Sequence, residues 1–417
     1  MKLMRVARLV GGAVIGFWLA RYLEPAQFGQ LNYALSFISI FAGMAALGMQ
    51  AVVVRDLVAD GQGGAVLLGS ALAMQVGAGL LACVAAVACV VLARPGEASI
   101  QLLVAVLSPS LIFRSSEVLK YWFESQMASR RVVLTENAVF FLALLARAVL
   151  ILIEAPLFAF ALMVTVESLA VAAVMYATYR AVNAHPRAWR FSSTRAVALL
   201  RDSWPLAVAS VSVLLYMRMD QLMIGMLLDD EAVGLYSAAA RLSEAWYFVP
   251  GAIVASLNPA LIRLRADAPA AYEHRLRQMF SALIAISLVV AVPVSLFSGE
   301  IQQFLYGPAY RGSGPVLAIH IWNGIFVSLG IATSQWLVAE GLSLYSTIRT
   351  LIGLAINVVG NVLLIPRFGI EGAATATLLG FGFATFSILC FSRTRRGGLI
   401  VCRSLLFWRA VRTPWSV

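Results

Sequence analysis

Charge is what this chain has least of. Of its 417 residues, 12% are Asp, Glu, Lys or Arg, about half of the roughly 25% usual in a soluble domain. Hydrophobic residues make up 61%. That balance excludes an ordinary soluble enzyme or binding domain. Lysine is nearly missing, with Lys2 and Lys120 the only two, so the basic charge is arginine. Histidine is confined to His185, His274 and His320, too scattered for a metal cluster. The four cysteines (Cys83, Cys89, Cys390 and Cys402) lack metal-ligand spacing, and three lie in or beside apolar runs, where they read as small hydrophobes. No cofactor is expected. A large hydrophilic loop is also lacking. SGEIQQFLYGPAYRG (298–312) is about fifteen residues long, without paired carboxylates or a Cys/His nucleophile. A polymerase, ligase or glycosyltransferase is therefore disfavoured. The basic start MKLMRVAR enters an apolar run without a small-residue cleavage site, so no cleaved leader is predicted.

Long apolar runs are abundant. Several exceed the roughly 18 residues that mark a membrane helix, and they are continuous rather than alternating, which favours helices over a barrel. Twelve spans are predicted, at 4–22, 31–53, 65–93, 99–124, 130–153, 157–179, 204–228, 233–257, 277–298, 313–338, 343–365 and 370–392. The loops alternate in charge. One side holds 21 basic residues, the other holds Arg21, Arg94, Arg311 and Arg367 among acidic residues, and six basic residues stay inside spans. By the positive-inside rule both termini are cytoplasmic. The net charge of +11 is thus topological, and no nucleic-acid partner is expected.

The chain also resembles itself. LEPAQFGQLNYALS from Leu23 matches LLDDEAVGLYSAAA around Leu228 at an offset of 205, and WFESQMAS from Trp122 matches WLVAEGLS from Trp336 at 214. The expected architecture is all-α and polytopic: a six-helix bundle over 1–184, a basic linker over 185–202, a second bundle over 203–393 and a basic tail over 394–417. Six spans per half make the repeat parallel. Two like bundles about an axis along the membrane normal is a transporter arrangement.

Charges within spans are costly, about 2.5–3.5 kcal/mol each on insertion scales, and so mark function. Span four carries Arg114, Glu117, Lys120 and Glu124 on one helical face, either as a self-paired ladder or lining a cavity. Span five has Arg147, three turns from Glu136; span six has Glu167, and span eight Arg241 and Glu244. Span eleven has Arg349 with Asn357 and Asn361 on one face, a pair that often only ties helices together. In LLYMRMDQLMIG (214–225), Arg218 and Asp220 stand about 200° apart on a helix, so they cannot share one cavity. Arg218 is expected to face it, with Asp220 as a counter-charge to a neighbour. Guanidinium groups bind phosphate through paired, charge-assisted hydrogen bonds. Arg218, Arg147, Arg114, Arg241, Arg349 and Lys120 therefore suit a large anionic substrate. Asp220, Glu117 and Glu244 are candidates for ion coupling or counter-charge.

Five stretches carry a family resemblance in order: ARYLEPAQFGQLNYALSF (20–37), LGMQAVVVRDLV (47–58), YWFESQMASR (121–130), YMRMDQLMIG (216–225) and LLIPRFGIEGAATAT (363–377). With them the chain resembles Wzx-type flippases of the multidrug/oligosaccharidyl-lipid/polysaccharide exporter superfamily. The resemblance implies two six-helix bundles in a bacterial inner membrane. It implies transfer of undecaprenyl-pyrophosphate-linked oligosaccharide units from the cytoplasmic to the periplasmic leaflet for O-antigen or exopolysaccharide synthesis. Membrane lipids, a polysaccharide polymerase and chain-length machinery are the implied partners. Two departures stand out. Glu24 occupies the position before Pro25 where the family usually has glycine, and the first span is short against its repeat partner, as if the first residues of its helix were missing. The rival reading is a cation- or proton-coupled multidrug exporter of the same superfamily, which should favour acidic rather than arginine-rich spans.

Overall fold

Apolar runs without alternation can satisfy their backbone inside a bilayer only as helices, and no strand occurs among the described residues. The computed structural model describes residues 2–59, 64–182 and 189–405. The helices up to the middle of the chain are α1 (Lys2–Ala45), α2 (Gln50–Ala59), α3 (Gly64–Ala93), α4 (Ala98–Leu107), α5 (Ser110–Phe113), α6 (Glu117–Ser125), α7 (Ser129–Leu152), α8 (Leu157–Val182) and α9 (Ser193–Leu227). There follow α10 (Asp230–Ala245), α11 (Phe248–Asp267), α12 (Pro269–Leu296), α13 (Ser298–Tyr306), α14 (Gly314–His320), α15 (Asn323–Ala339), α16 (Ser343–Phe386) and α17 (Arg395–Leu405). Among the described residues, nine helical segments are long and apolar enough to cross a membrane, or ten if the bent pair Pro308–His320 and Asn323–Ala339 is one span. Two segments are broken inside. α1 leaves helical geometry at Glu24 and α16 at Gly369. Counted on either side of those breaks, the ten become the expected twelve. Leu81, Leu92 and Val289 are more than two thirds exposed, as lipid-facing side chains should be.

The chain divides into two compact units, Met1–Arg218 and Met219–Val417, so the division falls inside α9 rather than near residue 203. Local contacts explain this. Leu199 is buried in the first unit, Arg55 pairs with Asp202 at 2.8 Å, and Arg195 pairs with Asp56 at 3.0 Å. The part of the expected linker from 189 to 192 packs on α3, where Ser192 N donates to Ser70 Oγ at 3.0 Å; 185–188 lie outside the described residues. The expected tail also differs, since its first part is α17, a helix packed on α12 with Ile400 and Val401 buried. Gly397 makes this docking possible, because a Cβ there would stand 2.4 Å from the Trp336 ring. Residues 406–417 lie outside the described part.

Span four is not one helix. Pro109 lacks the N–H that would continue α4, and the chain proceeds through α5 and a 3-10 turn at Arg114–Ser116 before α6. Glu24 is the other local surprise. Its φ of 58° and ψ of 169° lie in a region that is essentially glycine's own, at a cost of about 1–3 kcal/mol for other residues. The glycine usual in the resembling family thus has a conformational reason. Glu24→Gly should raise stability by about 1 kcal/mol after the added backbone entropy is counted. A thermal-unfolding midpoint of the detergent-solubilised variant at or below that of the unmodified chain would refute the strain.

Candidate functional site

In the first unit Arg114, Lys120 and Arg147 each pair with a glutamate. Arg114 donates to Glu117 within one turn at 3.0 Å. Lys120 forms its ion pair with Glu136 of α7, and Arg147 with Glu167 of α8. Glu124 accepts from Gln50 Nε2 of α2 at 3.1 Å. The expected single-face stripe is therefore corrected: one pair closes on itself, while Lys120 and Glu124 each reach another helix. Glu136, three turns before Arg147 on α7, is the partner of Lys120. Pairing is how charges at such depth become tolerable.

In the second unit, Arg349 is 9% exposed. Its guanidinium donates to Gly330 O at 3.2 Å and Ser334 Oγ at 2.9 Å, tying α16 to α15. Its Nη2 thus reaches α15, where a substrate cavity was expected. Arg241 stands on the exposed side of α10 and Glu244 is half-buried one turn later, while Arg218, the last residue of the first unit, is half-buried in α9.

Asp220 is the best-defined polar centre. It is 4% exposed, and its carboxylate gathers donors from two other elements. Tyr236 Oη of α10 donates to Oδ2 at 2.6 Å, and Thr377 Oγ1 of α16 donates to the same oxygen. Asn357 Nδ2 and Asn361 Nδ2, one turn apart on α16, donate to Oδ1 at 2.8 and 2.6 Å. All four donors are neutral, and Asp220 forms no ion pair among the described residues, where a counter-charge to a neighbouring base was expected. The pairing of Asn357 with Asn361 in the sequence is explained: one carboxylate uses both. The break at Gly369 folds α16 back on itself, bringing Thr377 level with Asn357 so that Asn357 Nδ2 also donates to Thr377 Oγ1 at 3.3 Å. Beside Tyr236, His320 sits 3% exposed with ring centroids 5.8 Å apart and edge to face, and its Nδ1 is hydrogen-bonded to Ser243 Oγ.

Tyr236 and Thr377 carry no signal in the local sequence pattern, and His320 reads there only as too scattered for a metal cluster. A signal for two of them lay in the repeat. At the offsets of 205 and 214, Asp220 stands opposite Ile15, Tyr236 opposite Leu31, Asn357 opposite Ala143 and Thr377 opposite Met163. Polar residues in one repeat against apolar ones in the other mark a site built into one half alone.

With that geometry in place, the relatives can be compared. The family model described as "Polysaccharide biosynthesis protein" matches residues 6–257, well over half of the chain. The chain belongs to the polysaccharide biosynthesis protein family. A second model, MatE, matches residues 205–363 of this family member. Among curated proteins, a probable low-salt glycan biosynthesis flippase, Agl15 of Haloferax volcanii, is 27% identical over 182 residues, 43% of this chain. The probable flippase AglR of the same organism is 29% identical over 199 residues, 45% of this chain. The matched stretches span only 38% and 40% of those relatives' lengths. In fold, this polysaccharide-family chain is similar to an inward-closed lipid II flippase MurJ, with TM-score 0.70 and 13% identity over 97% of this chain and 88% of that one. It is also similar to an inward-facing multidrug resistance MATE transporter, with TM-score 0.73 and 13% identity over 95% and 96%.

Proposed function

We propose that this family member carries an undecaprenyl-pyrophosphate-linked oligosaccharide from the cytoplasmic to the periplasmic leaflet of a bacterial inner membrane by alternating access, with Asp220 coupling the movement to a cation. The observation that carries the reading is the neutral shell of Asp220. Asp220 forms no ion pair among the described residues, so a proton or a cation is the group that would neutralise its carboxylate. The donor set fits a proton or a hard monovalent ion: two carboxylate oxygens, the Thr377 hydroxyl, and two side-chain amides that present oxygen when rotated. Asn361 Oδ1 is buried without a hydrogen-bond partner, so one acceptor is already in reserve. No thiol joins the set, which argues against a transition metal.

For the substrate, the Arg218 guanidinium is assigned to the pyrophosphate, which it suits through paired, charge-assisted hydrogen bonds. Both termini are assigned to the cytoplasm on the 21 to 4 distribution of loop bases. Delivered units would pass to a polymerase and its chain-length machinery.

The deciding measurement is the pool of lipid-linked saccharide in a strain deleted for this gene. It should build up on the cytoplasmic side, be cleared by the unmodified chain, and be cleared roughly tenfold more slowly by Arg218→Ala, which removes charged hydrogen bonds to phosphate. An unchanged pool in the deletion strain would end the flippase reading. The second reading, cation-coupled drug export, rests on the MatE match and predicts instead that the deletion strain becomes drug-sensitive.

A further inference from the structure

One end of the second unit holds a cavity of about 280 Å³ that the transport reading does not use. It is bounded by the last turn of α11, the first turn of α12, the end of α15 and the start of α17, and three arginines line it: Arg265, Arg393 and Arg396. Two are matched by acids. Arg265 pairs with Glu340 at 3.0 Å, and Arg396 with Glu273 at 2.9 Å. Arg393 has no acidic partner among the described residues, which leaves the lining with one positive charge in excess.

Helix electrostatics sharpen that excess. The N-terminal end of a helix carries a partial positive charge that favours anions and disfavours cations. α17 has no acidic residue in its first turn, yet Arg393, Arg395 and Arg396 crowd that end. The arrangement is unfavourable by itself, and an anion held in the cavity beside Arg393 and Arg396 relieves it.

Position narrows the anion. Tyr272 lies at the start of the apolar segment Ala271–Leu296, and Trp336 three residues before the end of Asn323–Ala339. Both line the cavity. Tyrosine and tryptophan at the ends of spans belong to the membrane–water boundary, and basic pockets between spans at that depth suit lipid phosphates. Leu399 of α17, next in sequence to the lining residue Ile400, is 44% exposed, an apolar flank fit for an acyl chain.

We propose that this cavity binds the phosphate of a membrane lipid headgroup, with Arg393 as its principal contact. A phosphate monoester, carrying the most charge per headgroup, should bind best. The test uses the full chain in detergent and native mass spectrometry with phosphatidic acid against phosphatidylcholine. The unmodified chain should retain phosphatidic acid at least fivefold better. Arg393→Gln, which breaks no ion pair, should lose most of that preference. Arg403→Gln, on the same helix but away from the cavity, should keep it. Equal retention of the two lipids would overturn the site, as would an undiminished preference in Arg393→Gln. Equal losses in both variants would also overturn it, since they would show only general surface charge. Inorganic pyrophosphate separates a soluble source from a lipid one. If it raised the unfolding temperature in an Arg393-dependent manner while phosphatidic acid did not, the headgroup assignment would fall.

Discussion

Asp220→Asn should cut transport by roughly tenfold or more and abolish its response to an imposed ion gradient, because an amide carries no charge with which to hold a cation. The substitution is nearly isosteric, so the effect would not come from lost volume. It has a structural side as well. Tyr236, Thr377, Asn357 and Asn361 all donate to the carboxylate, and an asparagine offers one acceptor oxygen where Asp offers two. At least one buried donor is left unsatisfied, at about 1–3 kcal/mol. Transport must therefore be normalised to folded protein in reconstituted vesicles. Gradient-dependent transport at the unmodified rate in Asp220→Asn would remove Asp220 from coupling. A defect confined to folded yield would make the shell structural.

Gly372→Ala should lower stability by about 3 kcal/mol or more, enough to empty the monodisperse fraction of a detergent extract. The reason is a close approach of main chains. Beyond the break at Gly369, α16 doubles back, and a Cβ at position 372 would stand 2.3 Å from Leu364 O. Backbone cannot yield as the tip of a side chain can. The seam continues through the fully buried Ala373, Ala374 and Ala376, with a Cβ at Gly360 only 2.9 Å from that of Ala376. Small residues let two helical arms touch where lipid offers no hydrophobic drive to hold them. This seam also sets Thr377 beside Asn357, so the same substitution would disturb the shell of Asp220. A Gly372→Ala variant with an unchanged unfolding midpoint would mean that the arms are further apart than described.

Hydropathy made the spans legible, because membrane insertion demands about 20 apolar residues whatever the neighbours are. It could not reveal the break after α4, since a window across Pro109 stays apolar. Nor could it reveal α17, whose eleven residues include two glycines and alternate charge with apolar side chains. Charge partners were half legible. Arg114 and Glu117 pair within a turn, as spacing suggests, but Lys120 chose Glu136 on another helix, and Arg147 chose Glu167. The shell of Asp220 was not legible at all from local pattern. Its partners lie 16, 137, 141 and 157 residues away. Only the unequal repeats hinted at it: Asn361 stands opposite Arg147 at the offset of 214, a polar amide against a charged base. The two halves have taken up their buried polarity in different ways.

That difference decides where a membrane potential can act. The field does about 2.3 kcal/mol of work per 100 mV on each elementary charge carried across it, and none on a neutral pair. Arg147 with Glu167, Lys120 with Glu136 and Arg114 with Glu117 each sum to zero. Displacing those pairs as units is electrically silent. An ionised Asp220 surrounded by neutral donors is not, until a bound cation cancels its charge. In the second unit, whether that carboxylate is filled or empty then determines whether voltage has anything to pull on.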